Sequence, residues 1–225
     1  MRILALETTE PLGTVAAMDG SNLLAELTLE QGLRSAQSLS PGLLAMLKQV
    51  GWQPNDVELI AVTSGPGSFT GLRVGVTTAK VFAYAVGAKI MGINTLEAVA
   101  AAVPREVTEL ATVLDAQRGE VVSQRFRRGP DGHFEPTNVE HLASVEAWAA
   151  ELPPGVAVAG PILAKIASRV PPTATILDAR FWAPRAAAVA KLAAHKAAAG
   201  QFDDLWQLVP HYCRKSAAEE RLELA

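Results

Sequence analysis

Three short apolar runs closed by turns, followed by a switch to helical period, limit the folds open to this chain. Arg2 to Glu7 reads as a buried strand stopped by the polar cluster Glu7-Thr8-Thr9-Glu10. Thr14 to Met18 reads as a second strand, Asp19-Gly20 as a hairpin turn, and Asn22 to Leu29 as a third strand. Leu39, Leu43, Met46, Leu47 and Val50 then recur at helical spacing until Gly51, with Ser40-Pro41 suited to the N-cap and first helical position. Leu59 to Thr63 reads as a buried strand, Thr70 to Val86 as a helix, Lys89 to Ile93 as a strand and Thr95 to Val103 as a helix.

This β-β-β-α-β-α order is that of ribonuclease H-like and actin-like lobes, and differs from a plain dinucleotide-binding unit or a sandwich. The second half is shorter. Leu110 to Leu114 and Glu120 to Arg127 form a strand pair turned by Asp115-Ala-Gln-Arg-Gly119, and Arg128 to Asn138 reads as a loop. Helix Ser144 to Glu151, strand Val156 to Ala159, helix Ile162 to Ser168 and the alanine-rich helix Pro184 to Ala199 follow. The expectation is an α/β, actin-like, two-lobed chain with a truncated second lobe: residues 1–104, residues 105–215 and a mobile polar tail at 216–225.

Composition removes several classes. The 225 residues are 49% hydrophobic and 19% charged with net charge -3, so no basic field marks a stand-alone nucleic-acid binder. Cys213, the single cysteine, excludes an internal disulfide framework and an all-cysteine metal cage. Glu7 interrupts the first apolar run too early for a signal peptide, and no run reaches the roughly 18 residues of a membrane helix. A cytoplasmic protein without membrane contact is expected.

The stretch Ser64-Gly-Pro-Gly-Ser-Phe-Thr-Gly-Leu-Arg-Val-Gly75 is a tight loop opening into a long apolar helix, an arrangement that brings backbone close to a phosphate, a carboxylate or a partner. It is not a Walker loop, since Thr70 rather than glycine stands five residues after Gly65, and Gly71 is followed by Leu72 rather than lysine. It also lacks the dinucleotide fingerprint and the nucleophile elbow. A turn with no ligand fits it as well. Along the helix, Leu72, Val76, Ala79, Ala83 and Val86 share one face, while Gly71, Gly75, Thr78, Phe82 and Ala85 share another. A helix apolar over two faces is covered on both. One face meets the sheet; the other meets the helix Leu39 to Val50 or a second subunit.

The same stretch, Ser64 to Gly75, resembles the signature of the bacterial TsaB family, also called YeaZ. Ile3-Leu-Ala-Leu-Glu-Thr-Thr9 resembles that family's first strand, with Glu7 where Asp is usual; Leu114-Asp-Ala-Gln-Arg-Gly-Glu-Val121 resembles its D-A-R-x-G-E-V turn, with Gln117 for Arg; and Val209-Pro-His-Tyr-Cys-Arg214 resembles its P-x-Y-L-R tail, with Cys213 for Leu. The resemblance implies an actin-like fold and a non-catalytic dimerisation subunit in the synthesis of N6-threonylcarbamoyladenosine on tRNA. It implies a helix-bundle interface holding either a homodimer or the catalytic paralogue TsaD, with the ATPase TsaE joining the heterodimer and tRNA engaged only within the complex. On this reading the partner surface comprises Leu39, Leu43, Met46, Leu47, Gly71, Leu72, Gly75, Val76, Ala79, Phe82 and Ala83.

No catalytic residue, cofactor or metal is expected. The paralogue's H-x-x-x-H pair has no counterpart, because His133, His141, His195 and His211 all follow Pro104. His133 and His141 read as surface residues, and His211 beside Cys213 is too sparse a ligand set. Arg105, Arg118, Arg125, Arg127 and Arg128 alternate with glutamates and read as a solvated mixed surface. The rival expectation is a small actin-like ATPase or kinase in which Glu7 orients a hydrated cation and Thr8 and Thr9 donate to phosphate.

Overall fold

The computed structural model describes residues 1–30 and 35–214. β1 (Arg2–Glu7), β2 (Thr14–Asp19) and β3 (Asn22–Thr28) form an antiparallel meander. β4 (Leu59–Gly65) and β5 (Lys89–Asn94) join in parallel on the other side of β1, giving the order β3-β2-β1-β4-β5. The second sheet starts from the antiparallel pair β6 (Glu109–Asp115) and β7 (Glu120–Arg128). β8 (Phe134–Pro136) and β9 (His141–Ser144) both pair with β7, while β10 (Ala157–Ala159) and β11 (Thr175–Ile176) extend in parallel from β6. Read from its hairpin edge, the second sheet repeats the order of the first. The fold is actin-like, with a reduced second half.

Helices α1 (Ser35–Val50) and α2 (Phe69–Val86) cover one face of the first sheet, where Leu4, Leu6, Val15, Ile60 and Val62 meet Leu39, Leu43, Met46, Val76 and Ala79. The alternate residues Ile3, Ala5, Ala16 and Met18 point the other way. β1 is buried on both faces, which is why it reads as a continuous apolar run. Between the sheets lie α3 (Thr95–Ala101) and α6 (Ala186–Ala198). α3 turns Leu96 and Val99 toward Leu110, Leu114 and Phe126 of the second sheet. α6 follows the second sheet in sequence yet packs on the first, with Ala186, Val189, Ala190 and Ala193 against Ile3, Ala5 and Met18. Its first amides are satisfied from the first sheet: Ala186 N donates to Thr14 Oγ1 at 2.9 Å and Ala187 N to Glu26 Oε1 at 2.9 Å. Among the described residues, the far face of the second sheet carries α4 (Val145–Ala150) and the one-turn α5 (Leu163–Ile166).

Several details differ from the sequence reading. The expected loop 128–138 contains β8, and β9 and β11 are additional. These strands have three, four and two residues, too few to show a period; pairing with a neighbour creates them. Pro41 lies inside α1, on its exposed side, rather than at its start. The segment 216–225, expected to be mobile, lies outside the described residues.

After α6 the chain returns along the first lobe as a strap. Asp203 accepts from Gly92 N at 2.7 Å, Lys80 Nζ donates to the carbonyls of Trp206 and Leu208 at 3.1 and 2.9 Å, and His211 N donates to Ser64 O at 2.6 Å. Among the described residues no helix is long and apolar enough to cross a membrane.

Candidate functional site

The glycine loop joins three segments of chain. A side chain at Gly65, whose φ is 125°, would strike the carbonyl of His211 in the strap. One at Gly71 would strike the carbonyl of Thr8, just past the end of β1. The first turn of α2 therefore sits directly on the β1 loop, and Thr8 Oγ1 donates to Gly71 O at 2.8 Å across the contact. Ser68 caps the helix by accepting from Gly71 N at 3.3 Å. Phe69 stacks on Tyr212 of the strap with centroids 4.4 Å apart.

The turn Asp115–Gly119 faces this joint across a cleft. Gln117 (φ 68°) and Arg118 (φ 56°) are left-handed without being glycine, a conformation that persists only where surroundings enforce it. Asp115 Oδ1 accepts from Gln117 N at 2.8 Å and Glu120 N donates to Gln117 O at 3.0 Å, which closes the turn. Two open cavities of about 700 and 320 Å³ lie between the turn and Gly67-Ser68; the larger reaches Tyr212 and the smaller reaches Thr9, Glu10 and Lys165.

Two carboxyl groups here titrate near neutrality. Glu7 is fully buried; desolvation pushes it up to about 8 against the opposing bonds from Thr9, whose N and Oγ1 donate to Glu7 Oε1 at 2.6 and 2.5 Å. Its Oε2 has no partner among the described residues. Burial, and then the Asp115 charge, push Glu10 up to about 7, while Lys165, 2.9 Å from Asp115 Oδ2, opposes the shift. The hydroxyls of Thr8 and Thr9 already donate within the chain.

The residues read as a partner surface are brought together, but around the chain's own core. Leu39, Leu43, Met46, Leu47, Gly71, Leu72, Gly75, Val76, Ala79 and Ala83 are buried, and Phe82 is half-buried. Periodicity finds apolar faces without saying what covers them, and here the sheet and the neighbouring helix take both. The outward side of the helix pair carries different residues: Leu44 (66% exposed), Val81 and Tyr84 (69%). The strap adds Val209 and Trp206 (68%), whose ring meets Tyr84 edge-on with centroids 5.7 Å apart. Val81 and Tyr84 stand at i and i+3, which was readable; Trp206 arrives through a long-range return that no local pattern signals.

His141 lies 3.8 Å from Glu151, and His211 Nε2 pairs with Glu140. Burial pushes the Cys213 thiol up. His133, read as a surface residue, stacks on His195. Arg127 pairs with Glu109 at 2.8 Å, and Arg128 donates to the carbonyls of Val103, Pro104, Val107 and Gly132.

A family model described as TsaD, tRNA N6-adenosine threonylcarbamoyltransferase, matches residues 33–133. The tRNA threonylcarbamoyladenosine biosynthesis protein TsaB of Bacillus subtilis is 29% identical over 127 residues, 56% of this chain and 56% of that protein. The protein of the same name from Escherichia coli is 28% identical over 148 residues, 65% of this chain and 64% of that one. A solved structure described as an uncharacterized protein with similarity to peptidase YEAZ from Pseudomonas aeruginosa superposes with TM-score 0.82 at 26% identity, covering 95% of this chain and 99% of that one. The chain is thus similar to the TsaB/YeaZ proteins in sequence and in fold. YeaZ from Pseudomonas aeruginosa itself shares the fold, with TM-score 0.83 at 24% identity over 94% of this chain and 99% of that one. In sequence the chain spans just over half the length of the Bacillus TsaB. The stretch matching the TsaD model includes α1, α2, the glycine loop and the 115–119 turn, so it takes in the whole helix pair and the two facing walls of the cleft.

Proposed function

We propose that this chain is a non-catalytic dimerisation subunit in the synthesis of N6-threonylcarbamoyladenosine on tRNA, holding a TsaD-like catalytic paralogue on the outward side of α1 and α2. The observation that carries this reading is the exposed apolar set Leu44, Val81 and Tyr84, extended by Trp206 and Val209, on helices whose inner faces are already buried. Clusters of exposed large apolar side chains on a folded chain mark association surfaces, and Tyr and Trp are frequent energetic anchors there. The names of the TsaB relatives supply the process. In the absence of the paralogue, the same surface pairs two copies of this chain. A TsaE-like ATPase joins the heterodimer, tRNA is engaged only within the complex, and the assembly works in the cytoplasm. The lobes 1–104 and 105–215 act as one body through α3 and α6.

The test mixes this chain with a TsaD homologue and measures complex mass together with threonylcarbamoyl transfer. A complex whose activity requires both chains is expected, and transfer by this chain alone overturns the reading. A small actin-like ATPase or kinase is the second reading, favoured by the open cleft near the buried Glu7, whose Oε2 has no partner among the described residues. It requires Thr8 and Thr9 to release their present hydrogen bonds. Calorimetry with Mg-ATP on the wild type and Glu7→Ala decides: saturable heat lost in the variant supports this reading, and no heat in the wild type removes it.

A further inference from the structure

We propose that Asp131, His133 and His195 form a site for a borderline divalent transition-metal cation, with Zn²⁺ as the reference ion, clasping the β7–β8 turn of the second lobe to the last turn of α6. One ligand atom from each of the three side chains lies within 4.8 Å of the other two, and this is the one such group of three or more His, Cys, Asp or Glu among the described residues. The two imidazoles stack with centroids 3.9 Å apart and planes 25° from parallel. They come from different layers, since His133 belongs to the hairpin of the second sheet while His195 belongs to a helix seated on the first.

Both sides of the site are held by their surroundings. Arg128 Nη1 donates to Gly132 O at 2.7 Å, Gly129 N to His133 O at 2.7 Å and Gly132 N to Gly129 O at 3.0 Å, which fixes the turn. His133 N donates to Asp131 Oδ1 at 2.9 Å, orienting that carboxylate and leaving Oδ2 for a ligand. On the helix side, Ala190 and Ala193 are buried and Lys196 pairs with Glu97 at 2.7 Å, so the last turn of α6 is anchored. Outer contacts of this kind orient metal ligands.

The donor set chooses the class of ion. Two imidazole nitrogens and one carboxylate oxygen suit zinc, cobalt or nickel better than magnesium or calcium, which take oxygen. Bond lengths near 2.0–2.2 Å require the three donor atoms to draw together by about an ångström and the stacked rings to turn so that both nitrogen lone pairs meet at one ion. Asp131 and His195 are exposed and His133 is half-buried, so the side chains can pivot without disturbing a core. Three protein ligands leave at least one coordination position to water or an added ligand.

The test titrates the full chain, stripped with a chelator, with Zn²⁺ by calorimetry. One equivalent should bind; His133→Ala and His195→Ala should each weaken binding by roughly tenfold or more, whereas His141→Ala should bind like the wild type. Absence of zinc binding by the wild type, or wild-type affinity in the His133→Ala/His195→Ala double variant, overturns the proposal. A second measurement needs no variant. Zinc should shift the imidazole NMR signals of His133 and His195 together and leave those of His141 and His211 in place; the opposite pattern overturns it.

Discussion

The two lobes contain the same strand-and-turn frame and use it differently. β4 ends at Gly65-Pro66, and β10 is followed by Gly160-Pro161; each strand runs parallel to the first strand of its own sheet. Gly160 (φ 154°) is pressed against the carbonyl of Val113 in β6, much as Gly71 is pressed against Thr8. Beyond that point the first lobe launches α2, of 18 residues, whereas the second manages only the four residues of α5. The acids closing the two first strands diverge as well. Glu7 is sealed under Thr9 and pushed up to about 8, while Asp115 faces the cleft and pairs with Lys165. A shared backbone frame therefore fixes where loops and acids stand; helix length and burial decide whether a lobe presents a surface or only completes a cleft.

The comparison breaks first at its tightest contact. Gly71→Val should cost upwards of about 3 kcal/mol, because the added side chain meets the Thr8 carbonyl, which is backbone and cannot yield. Gly119→Ala in the second lobe, at φ 79° with open space around it, should cost about 1–2 kcal/mol from backbone strain alone. Equal urea midpoints for the two variants would remove close approach as the reason for glycine at 71.

Next come the two sides of α2. Val76→Glu places a charge in the core and should lose about 3 kcal/mol or more, seen as a collapsed thermal transition. Tyr84→Glu should leave stability within about 0.5 kcal/mol while weakening self-association or TsaD binding by roughly tenfold or more. Retained affinity in Tyr84→Glu, measured by sedentation velocity or light scattering, would move the interface elsewhere.

The acids give a pH test. Glu7 is raised from 4.5 to about 8, so between those values the folded chain holds a proton that the unfolded chain has released. Stability should fall as pH rises through that window, by up to ~1.4 kcal/mol per pH unit, and level off above it. Glu7→Gln keeps the acceptor facing Thr9 and should flatten the slope, raising the melting temperature most above pH 8 and leaving it unchanged below pH 4.5. Melting curves across that range check it; an unchanged slope would mean the Glu7 site is wetter than its burial implies. The smallest effect is expected in the cleft: Lys165→Ala should raise the Glu10 titration point, and Asp115→Asn should lower it, both followed by carboxyl NMR.

The first lobe was largely readable because its strands are long enough to show apolar runs and its helices long enough to show a period. The second lobe was less readable, since β8, β9 and β11 have no pattern of their own and exist through pairing. The cleft was partly visible, as Glu7, Thr8, Thr9 and the 115–119 turn all stood out as polar breaks. The helix pair was legible, but not which of its apolar faces the sheet covers, because two such faces look alike until the sheet occupies the one that holds Val76 and Leu43. The meeting of His133 with His195 depends on α6 crossing between lobes, which sequence spacing does not record.

That crossing has a consequence for synthesis on the ribosome. The lower face of the first sheet, with Ile3, Ala5, Ala16 and Met18, stays bare until Ala186 to Ala193 have been translated and have left the exit tunnel. The lobe made first is thus completed only after every strand of the second sheet has been made. A nascent chain stalled before residue 186 should expose that sheet to chaperones, whereas one extended past the helix can close.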